Sequence, residues 1–458
     1  MLSRLLFRIM ILTILSGLIA IGVSSSVFSV EVTKPMRALL EKTKSFGLKK
    51  FPVSFWTMSN LTEYGQYMTE VEVKSWADAG FTVPQTPTFD PKDDKQIAHM
   101  IRILKWADKY GMKLIVADPR ARAKKGDMKE FADGIRAAAS TFGKYPAAFG
   151  FHGGDEPLAY MKDTFFECYK IQKEIAPNLH PFANLLPHYP WILESAGTDS
   201  WPNYLDEYVR KANPDMLSYD CYGQMGAGDS GIHDYYRNLK LDREAALRNG
   251  LPFWNTVLSV GCLFYRIPTQ DDIRWQFNTS VAAGANGISW FFYNMLYPNA
   301  NYRMSPVDEL WEKTPTYYNM RRVQQGFHKH YGDLFNHIVS TRVTFFGTVY
   351  GDGEEFTSDD LVLKVTSEKK NPMVVGEFID LNGRRYAMFV NNSMTNDDMF
   401  YVTFPKGSKT FSWNWYGKVY EGGAYSHTGI QPDSDGNPVH SLMLAPGQEA
   451  VYRIELSK

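Results

Sequence analysis

The chain reads as an α/β protein, a (β/α)8 TIM barrel followed by a C-terminal all-β sandwich. Three features predict this. Eight short apolar runs bounded by turn residues recur between residues 51 and 294, segments of helical period separate them, and after Tyr331 the texture changes to short alternating runs.

The predicted strands are FPVSFWTM (51–58), GFTVPQTP (80–87), MKLIVADP (112–119), AAFGFHGG (147–154), HPFANLLP (180–187), DMLSYDCY (215–222), LPFWNTVLSV (251–260) and GISWFFYN (287–294). The predicted helices are 70–79, 95–110, 129–142, 160–175, 204–211, 233–249 and 271–283, where apolar residues recur at three and four, as in Ile97, Met100, Ile101 and Leu104. Strand-then-helix alternation implies parallel strands joined by right-handed crossovers. Eight such units in about 250 residues match a barrel better than an open doubly wound sheet. No Gly-rich phosphate loop follows any strand, which weakens a nucleotide-binding reading.

Residues 339–458 carry RVTFFGTVY, DLVLKVTS, VVGEFIDL, RRYAMFVNN, MFYVTFP, TFSWNWY and QEAVYRIEL, separated by turns such as Asp352-Gly353, Asn382-Gly383 and Asp435-Gly436. No low-complexity linker separates this part from the barrel, so the two are expected to pack together. At the other end, Arg4 and Arg8 precede IMILTILSGLIAIGV and Ser24 to Ser26, the pattern of a secretory signal peptide. Cleavage is expected near residues 26–29; an uncleaved anchor is the other reading, its apolar stretch being short for a roughly 20-residue span. The expected organisation is therefore a signal peptide (1–29), a barrel domain (30–338) and a sandwich (339–458), in an exported protein not stably inserted in the membrane.

With 49 Lys+Arg against 50 Asp+Glu, nothing in the charge balance calls for a nucleic-acid partner. Cys168, Cys221 and Cys262 are odd in number and far apart, which is no disulfide framework, and no spacing suggests a metal. No cofactor is expected. The charged stretches 92–95 and 122–129 read as solvated surface.

Catalytic groups of a barrel gather at the C-terminal ends of its strands. The strongest signal there is Phe149-Gly-Phe-His-Gly-Gly-Asp-Glu-Pro157 at the end of the fourth strand. The glycines are expected to turn the backbone sharply out of the barrel, holding Asp155 and Glu156 at the mouth, with Pro157 in the first helical turn. Adjacent carboxyls in a low-dielectric cleft repel, leaving one acid and one anion near neutrality. The competing reading is a helix N-cap with no catalysis; position on strand four favours function.

Phe151-His-Gly-Gly-Asp-Glu156 resembles the His-x-Gly-Gly-Asp-Glu motif on strand four of the β-hexosaminidase family of glycoside hydrolases, with one residue missing after the His. Met216-Leu-Ser-Tyr-Asp220 is similar to the Met-x-Tyr-Asp segment of chitinase-type enzymes, with one residue extra, and Asp155-Glu156-Pro157 looks like the adjacent pair of a β-N-acetylgalactosaminidase family. The resemblance implies a glycoside hydrolase acting on an oligosaccharide or polysaccharide. In it Glu156 is the acid/base, and Asp155 orients a substrate 2-acetamido group that serves as nucleophile. Strand seven, Phe253-Trp-Asn-Thr-Val-Leu-Ser259, lacks a carboxylate, which fits an internal nucleophile. Asp220 as nucleophile or as the base of an inverting enzyme stays open, and so does a non-catalytic carbohydrate-binding barrel.

Aromatics near predicted strand ends, Trp56, Tyr219, Tyr222, Trp254, Trp290, Phe291 and Tyr293, are candidates to stack on sugar rings, although singly each is commonly core. Of these, Trp56, Tyr219, Tyr222, Trp254, Trp290 and Tyr293 are taken as substrate-binding, together with His152, Asn184, Asp220 and Asp118, the last with a turn or cap role as its plainer reading. Residues 187–204, with His188, Tyr189, Trp191 and Trp201, read as a subsite wall.

Overall fold

A computed structural model describes residues 31–228, 230–295, 301–422 and 430–457. The expected signal peptide lies outside the described residues. Seven parallel strands follow one another: β1 (Val53–Phe55), β2 (Leu114–Val116), β3 (Ala148–Asp155), β4 (Phe182–Asn184), β5 (Leu217–Asp220), β6 (Phe253–Leu258) and β7 (Gly287–Phe291). They form two sheets, ordered β1-β7-β6-β5 and β2-β3-β4.

The expected second strand is a correction, because residues 80–87 form only a single bridge, from Gln85 to Ile115. Pro84 and Pro87 have no N–H to give, and a run so interrupted cannot sustain a ladder. It still bonds on both sides. The amides of Val83 and Gln85 donate to Val53 and Phe55 of β1, both at 3.1 Å, while Thr86 donates to Ile115 of β2 at 2.9 Å. At the other junction, Leu185 beyond β4 donates to Ser218 of β5 at 2.8 Å. Hydrogen bonds thus continue from one sheet to the other at both junctions.

Between and beyond these strands run α1 (Lys34–Ser45), α2 (Leu61–Tyr64), α3 (Glu70–Ala79), α4 (Asp94–Lys109), α5 (Met128–Phe142), α6 (Ala159–Ile175), α7 (Ile192–Ala196), α8 (Trp201–Ala212), α9 (Ser230–Asn249), α10 (Gln270–Ala282) and α11 (Pro315–Tyr331). The α3 ends are set by local chemistry: the Thr69 hydroxyl accepts from the Glu72 amide, and Gly80 closes the helix at φ 94°. A reciprocal Thr269/Asp272 capping box starts α10. No helix of the described residues is long and apolar enough to cross a membrane.

Strand alternation divides the interior in two. Phe55, Ile288 and Trp290 turn outward into a core shared with the helices. Val83, Ile115, Phe149, Phe182, Met216 and Trp254 form a separate cluster, closed by Phe46 just after α1; the Phe46 ring meets Phe149 at 5.4 Å and Trp254 at 6.1 Å.

The C-terminal strands are β8 (Ile338–Phe346), β9 (Glu354–Glu355), β10 (Lys364–Ser367), β11 (Met373–Asp380), β12 (Arg385–Asn391), β13 (Asp398–Thr403), β14 (Lys409–Trp413), β15 (Val419–Glu421), β16 (Gln431–Pro432), β17 (Pro438–Leu444) and β18 (Glu449–Glu455). They build a sheet β15-β14-β18-β12-β11-β8-β9 and a smaller one β10-β13-β17-β16. Met373, Val375, Ala387 and Phe389 of the larger sheet share a core with Phe400, Val402, Leu442 and Leu444 of the smaller. Their alternating neighbours Val374, Phe378, Tyr386, Met388 and Val390 join the core of the parallel strands and helices instead. Each face of the larger sheet is therefore buried against a different partner.

Helix α10 is the wedge between them, and it is buried on nearly every side. Its polar residues are spent on bonds: Gln276 exchanges two with the backbone of Leu258 at 3.0 Å each, Trp275 donates to Asn392 at 2.9 Å, and Asn278 donates to the Gly447 carbonyl at 2.9 Å. Gly376 of β11 faces the end of this helix, where an added Cβ would lie 2.2 Å from the Ala282 carbonyl oxygen. Gly376→Ala should push helix and sheet apart at a cost of about 1–3 kcal/mol, seen as a lowered Tm; an unchanged Tm would show that the two layers do not depend on this contact.

Candidate active site

Three adjacent strands end side by side in polar residues: Asp155 closes β3, Asn184 closes β4 and Asp220 closes β5. Pairing of β3 with β4 slips between His152 and Gly154, a bulge that aligns Asp155 with Asn184. The Asn184 amide donates to Asp155 Oδ1 at 3.0 Å. Glu156, the next residue, sits at φ 41°, where side-chain-bearing residues are uncommon. Its amide donates to the Asn184 carbonyl at 2.8 Å, so the unusual turn is tied to β4.

The glycines do other work than expected. Strand β3 runs through them to Asp155. A Cβ at Gly153 would lie 2.4 Å from the Tyr169 ring, and one at Gly154, where φ is 146°, 2.6 Å from Phe165. They bring α6 close against the strand. The capping reading also fails: α6 starts at Ala159 with Leu158 as N-cap and no side-chain cap bond. Pro157 therefore precedes the helix instead of occupying its first turn. Asp155 and Glu156 stand before it as exposed residues.

The electrostatics follow from crowding. Burial on the protein side, then the nearby Asp220 and Asp155 charges, push Glu156 up to about 8. Asp220 is itself pushed up to about 7, by burial first and Asp155 second, while the polar groups of Tyr222 and Asn184 nearby oppose the rise. Asp155 is raised by burial, while the Asn184 bond and the Arg122 charge oppose the rise. The arrangement holds a proton on the Glu156–Asp220 pair at neutral pH.

The remaining candidates divide by strand face. Tyr222 is half-buried, stacks on Phe291 with centroids 5.3 Å apart and acts to lower the Asp220 titration, so it belongs to the site. Trp56 is half-buried and meets the His152 ring edge-on at 4.7 Å. His152 is buried, burial pushes it down to about 3, and its Nε2 has no hydrogen-bond partner, so the ring is neutral. Asn184 faces the acids, where it braces Asp155.

Four expectations are corrected, and Asp118 takes the turn role already read as its plainer one. Tyr219 is fully buried beside the equally buried Asp242, one strand position out of phase with Asp220. Trp290 donates to Gln324 of α11 at 3.0 Å, on the helix side. Tyr293 stacks on Phe55 at 4.3 Å and accepts a bond from Lys313 at 3.1 Å. Trp254 lies in the apolar cluster closed by Phe46. Asp118 caps residues 119–121 and pairs with Arg120 at 2.7 Å. All four aromatics are apolar enough to be drawn into cores that strand alternation presents to them.

Tyr189 and Trp191 stack at 4.7 Å, and Trp191 is 69% exposed, whereas Trp201 is buried. Two residues near the acids were outside the expectation: Tyr265, edge-on to Tyr222 at 6.0 Å, and Arg122, whose charge acts on both Asp155 and His152. Tyr265 lies in a loop beyond β6 that no pattern marks; Arg122 was legible only as one of several surface charges. Cys168, Cys221 and Cys262 are free and buried.

Removing one of the coupled carboxyls should be felt by the other. Asp220→Asn takes away a repelling charge, so Glu156 should titrate at lower pH, by about one pH unit or more. Infrared difference spectra of the protonated carboxyl across the neutral range read this directly; an unmoved midpoint would uncouple the pair.

No protein-family model matches the chain, and no curated protein does. Among solved structures it is similar to one described as a glycoside hydrolase, at 14% identity over 89% of this chain and 93% of that one, with TM-score 0.57. It is also similar to a glycoside hydrolase family 5 protein from Bacteroides vulgatus, at 12% identity over 88% and 89%, with TM-score 0.55. At such identities the likeness is one of fold: this chain shares its architecture with glycoside hydrolases.

Proposed function

We propose that this protein is an exported (β/α)8-barrel glycoside hydrolase with Glu156 as its acid/base. The observation that carries the proposal is Glu156, an exposed residue whose titration is raised to about 8 beside the Asp155 and Asp220 carboxyls at the ends of neighbouring strands. A glycosidic oxygen leaves poorly without a proton, and a carboxyl whose titration is raised can supply one at neutral pH and take it back from water in the second step.

We favour assistance by a 2-acetamido group of the substrate. Burial and the neighbouring Asp155 raise Asp220 to about 7, so at neutral pH it is only partly ionised and a weakened nucleophile. Neither β6 nor β7 ends in an acid. Asp155, braced by Asn184, remains to orient the acetamido group and to balance the positive charge that forms on it. Tyr222, Phe291 and Trp56 supply apolar surface for sugar rings.

Glu156→Gln should lower turnover by about 10²–10⁴-fold with the fold intact; near-normal activity removes Glu156 from the role. In the parent, kcat/KM should fall as pH rises through the raised Glu156 titration, since only the protonated form donates. Aryl glycosides with and without the acetamido group decide the nucleophile. Hydrolysis confined to the acetamido compounds supports assistance, whereas hydrolysis of plain glucosides or galactosides assigns the step to Asp220. Binding without turnover of either kind rejects the enzyme and leaves a carbohydrate-binding barrel.

A further inference from the structure

The mouth of the parallel strands extends beyond the acids. On the side of β1 and β2 lies a cavity of about 390 Å³, floored by Trp56, Gln85 and His152 and bordered by Asp118 and Arg122. That volume is within the roughly 300–1,000 Å³ of small-ligand sites. His152 comes from β3, three residues before Asp155, so cavity and acids share a strand.

Two features set this cavity apart from an ordinary surface dent. The first is His152, which is only 7% exposed and has Nε2 without a partner, although the ring lines the cavity. A buried ring nitrogen left unpaired is costly unless something meets it. The second is Arg122. Its neighbour Arg120 pairs with Asp118, and Lys124 reaches Glu130 at 3.6 Å, but Arg122 makes no ion pair among the described residues. It is exposed on the rim, and the loop that carries it is pinned to β3 by the Ala123 amide, which donates to the Gly153 carbonyl at 2.7 Å. Lys125 lies on the same loop, 5.3 Å from the ring centre of the exposed Tyr160. In a chain whose formal charge is only -1, the loop 119–125 holds Arg120, Arg122, Lys124 and Lys125 and no acid.

We propose that this cavity is a subsite for an anionic substituent of the glycan, a carboxylate or a sulfate ester, held by the Arg122 guanidinium with His152 as a neutral hydrogen-bonding partner and Trp56 against the sugar face. The inference rests on the glycoside hydrolase reading of the neighbouring acids. A guanidinium fork matches the paired oxygens of either anion. Its charge, which already acts on Asp155, also helps explain how a negative group is accepted near the acids: Arg122 offsets part of the repulsion.

The test separates the subsite from the reaction. In the full-length Glu156→Gln protein, binding of a glucuronate aryl glycoside, a 6-sulfated galactose aryl glycoside and the unsubstituted glucoside and galactoside is measured by calorimetry. At least one anionic probe should bind about tenfold or more tighter than its neutral counterpart, with affinity falling as salt is added. Arg122→Gln should abolish that preference and Arg122→Lys restore part of it. Preference for the glucuronate alone assigns the carboxylate, and preference for the sulfated sugar alone assigns the sulfate. Equal affinity for charged and neutral probes, or a preference that survives Arg122→Gln, overturns the subsite. Turnover of neutral glycosides by the parent protein alongside that result would leave the hydrolase reading standing. Tight, Arg122-dependent anionic binding without turnover of any glycoside would instead uphold the subsite and reject the hydrolase.

Discussion

Three carboxyls crowded at one partly buried place cannot all be ionised at neutral pH, and the rest of the site is organised around that constraint. Asp155, Glu156 and Asp220 meet because neighbouring parallel strands lie about 4.8 Å apart and each ends where the chain leaves the sheet. Burial on the protein side penalises every added charge, so a proton is retained between Glu156 and Asp220. Asn184 takes the opposite part, stabilising charge on Asp155 with a single donated bond. One acid and one anion are thereby separated by environment, although both are carboxyls.

Holding such a cluster open to solvent requires a stiff frame. The lower interior of the strands is filled by Phe149, Phe182, Trp254 and their neighbours with Phe46 as closure. Behind β3, Gly153 and Gly154 bring α6 into contact through Tyr169 and Phe165. The left-handed turn at Glu156 is a strained conformation that the bond to the Asn184 carbonyl keeps in place. On the far side α10 ties the parallel strands to the larger β-sheet, whose two faces feed two cores. The sandwich is thus a structural partner of the strands that carry the acids.

Period-based reading located seven of the helices and most of the strands within a few residues, since apolar spacing and caps such as Thr69 and Gly80 are local properties. It overstated residues 80–87, where two prolines leave hydrogen bonds but no ladder. It did not mark α1 or α11, whose apolar faces make sense only against elements far away in the chain: α1 against β8 and α9, and α11 against α3 and α10.

The same division runs through the site. From the order of residues alone come the parallel α/β arrangement, the C-terminal β-structure and the adjacent acids at the end of the fourth predicted strand, because each depends on spacing along the chain. Only the folded chain decides which face of a strand each aromatic occupies, and a one-residue change of phase sends Tyr219 into the core while Asp220 reaches the acids. Only the folded chain brings Arg122 from the loop beyond β2 to His152 and Asp155. Side-chain direction and charge proximity are set by neighbours across space, and no one-dimensional pattern records them.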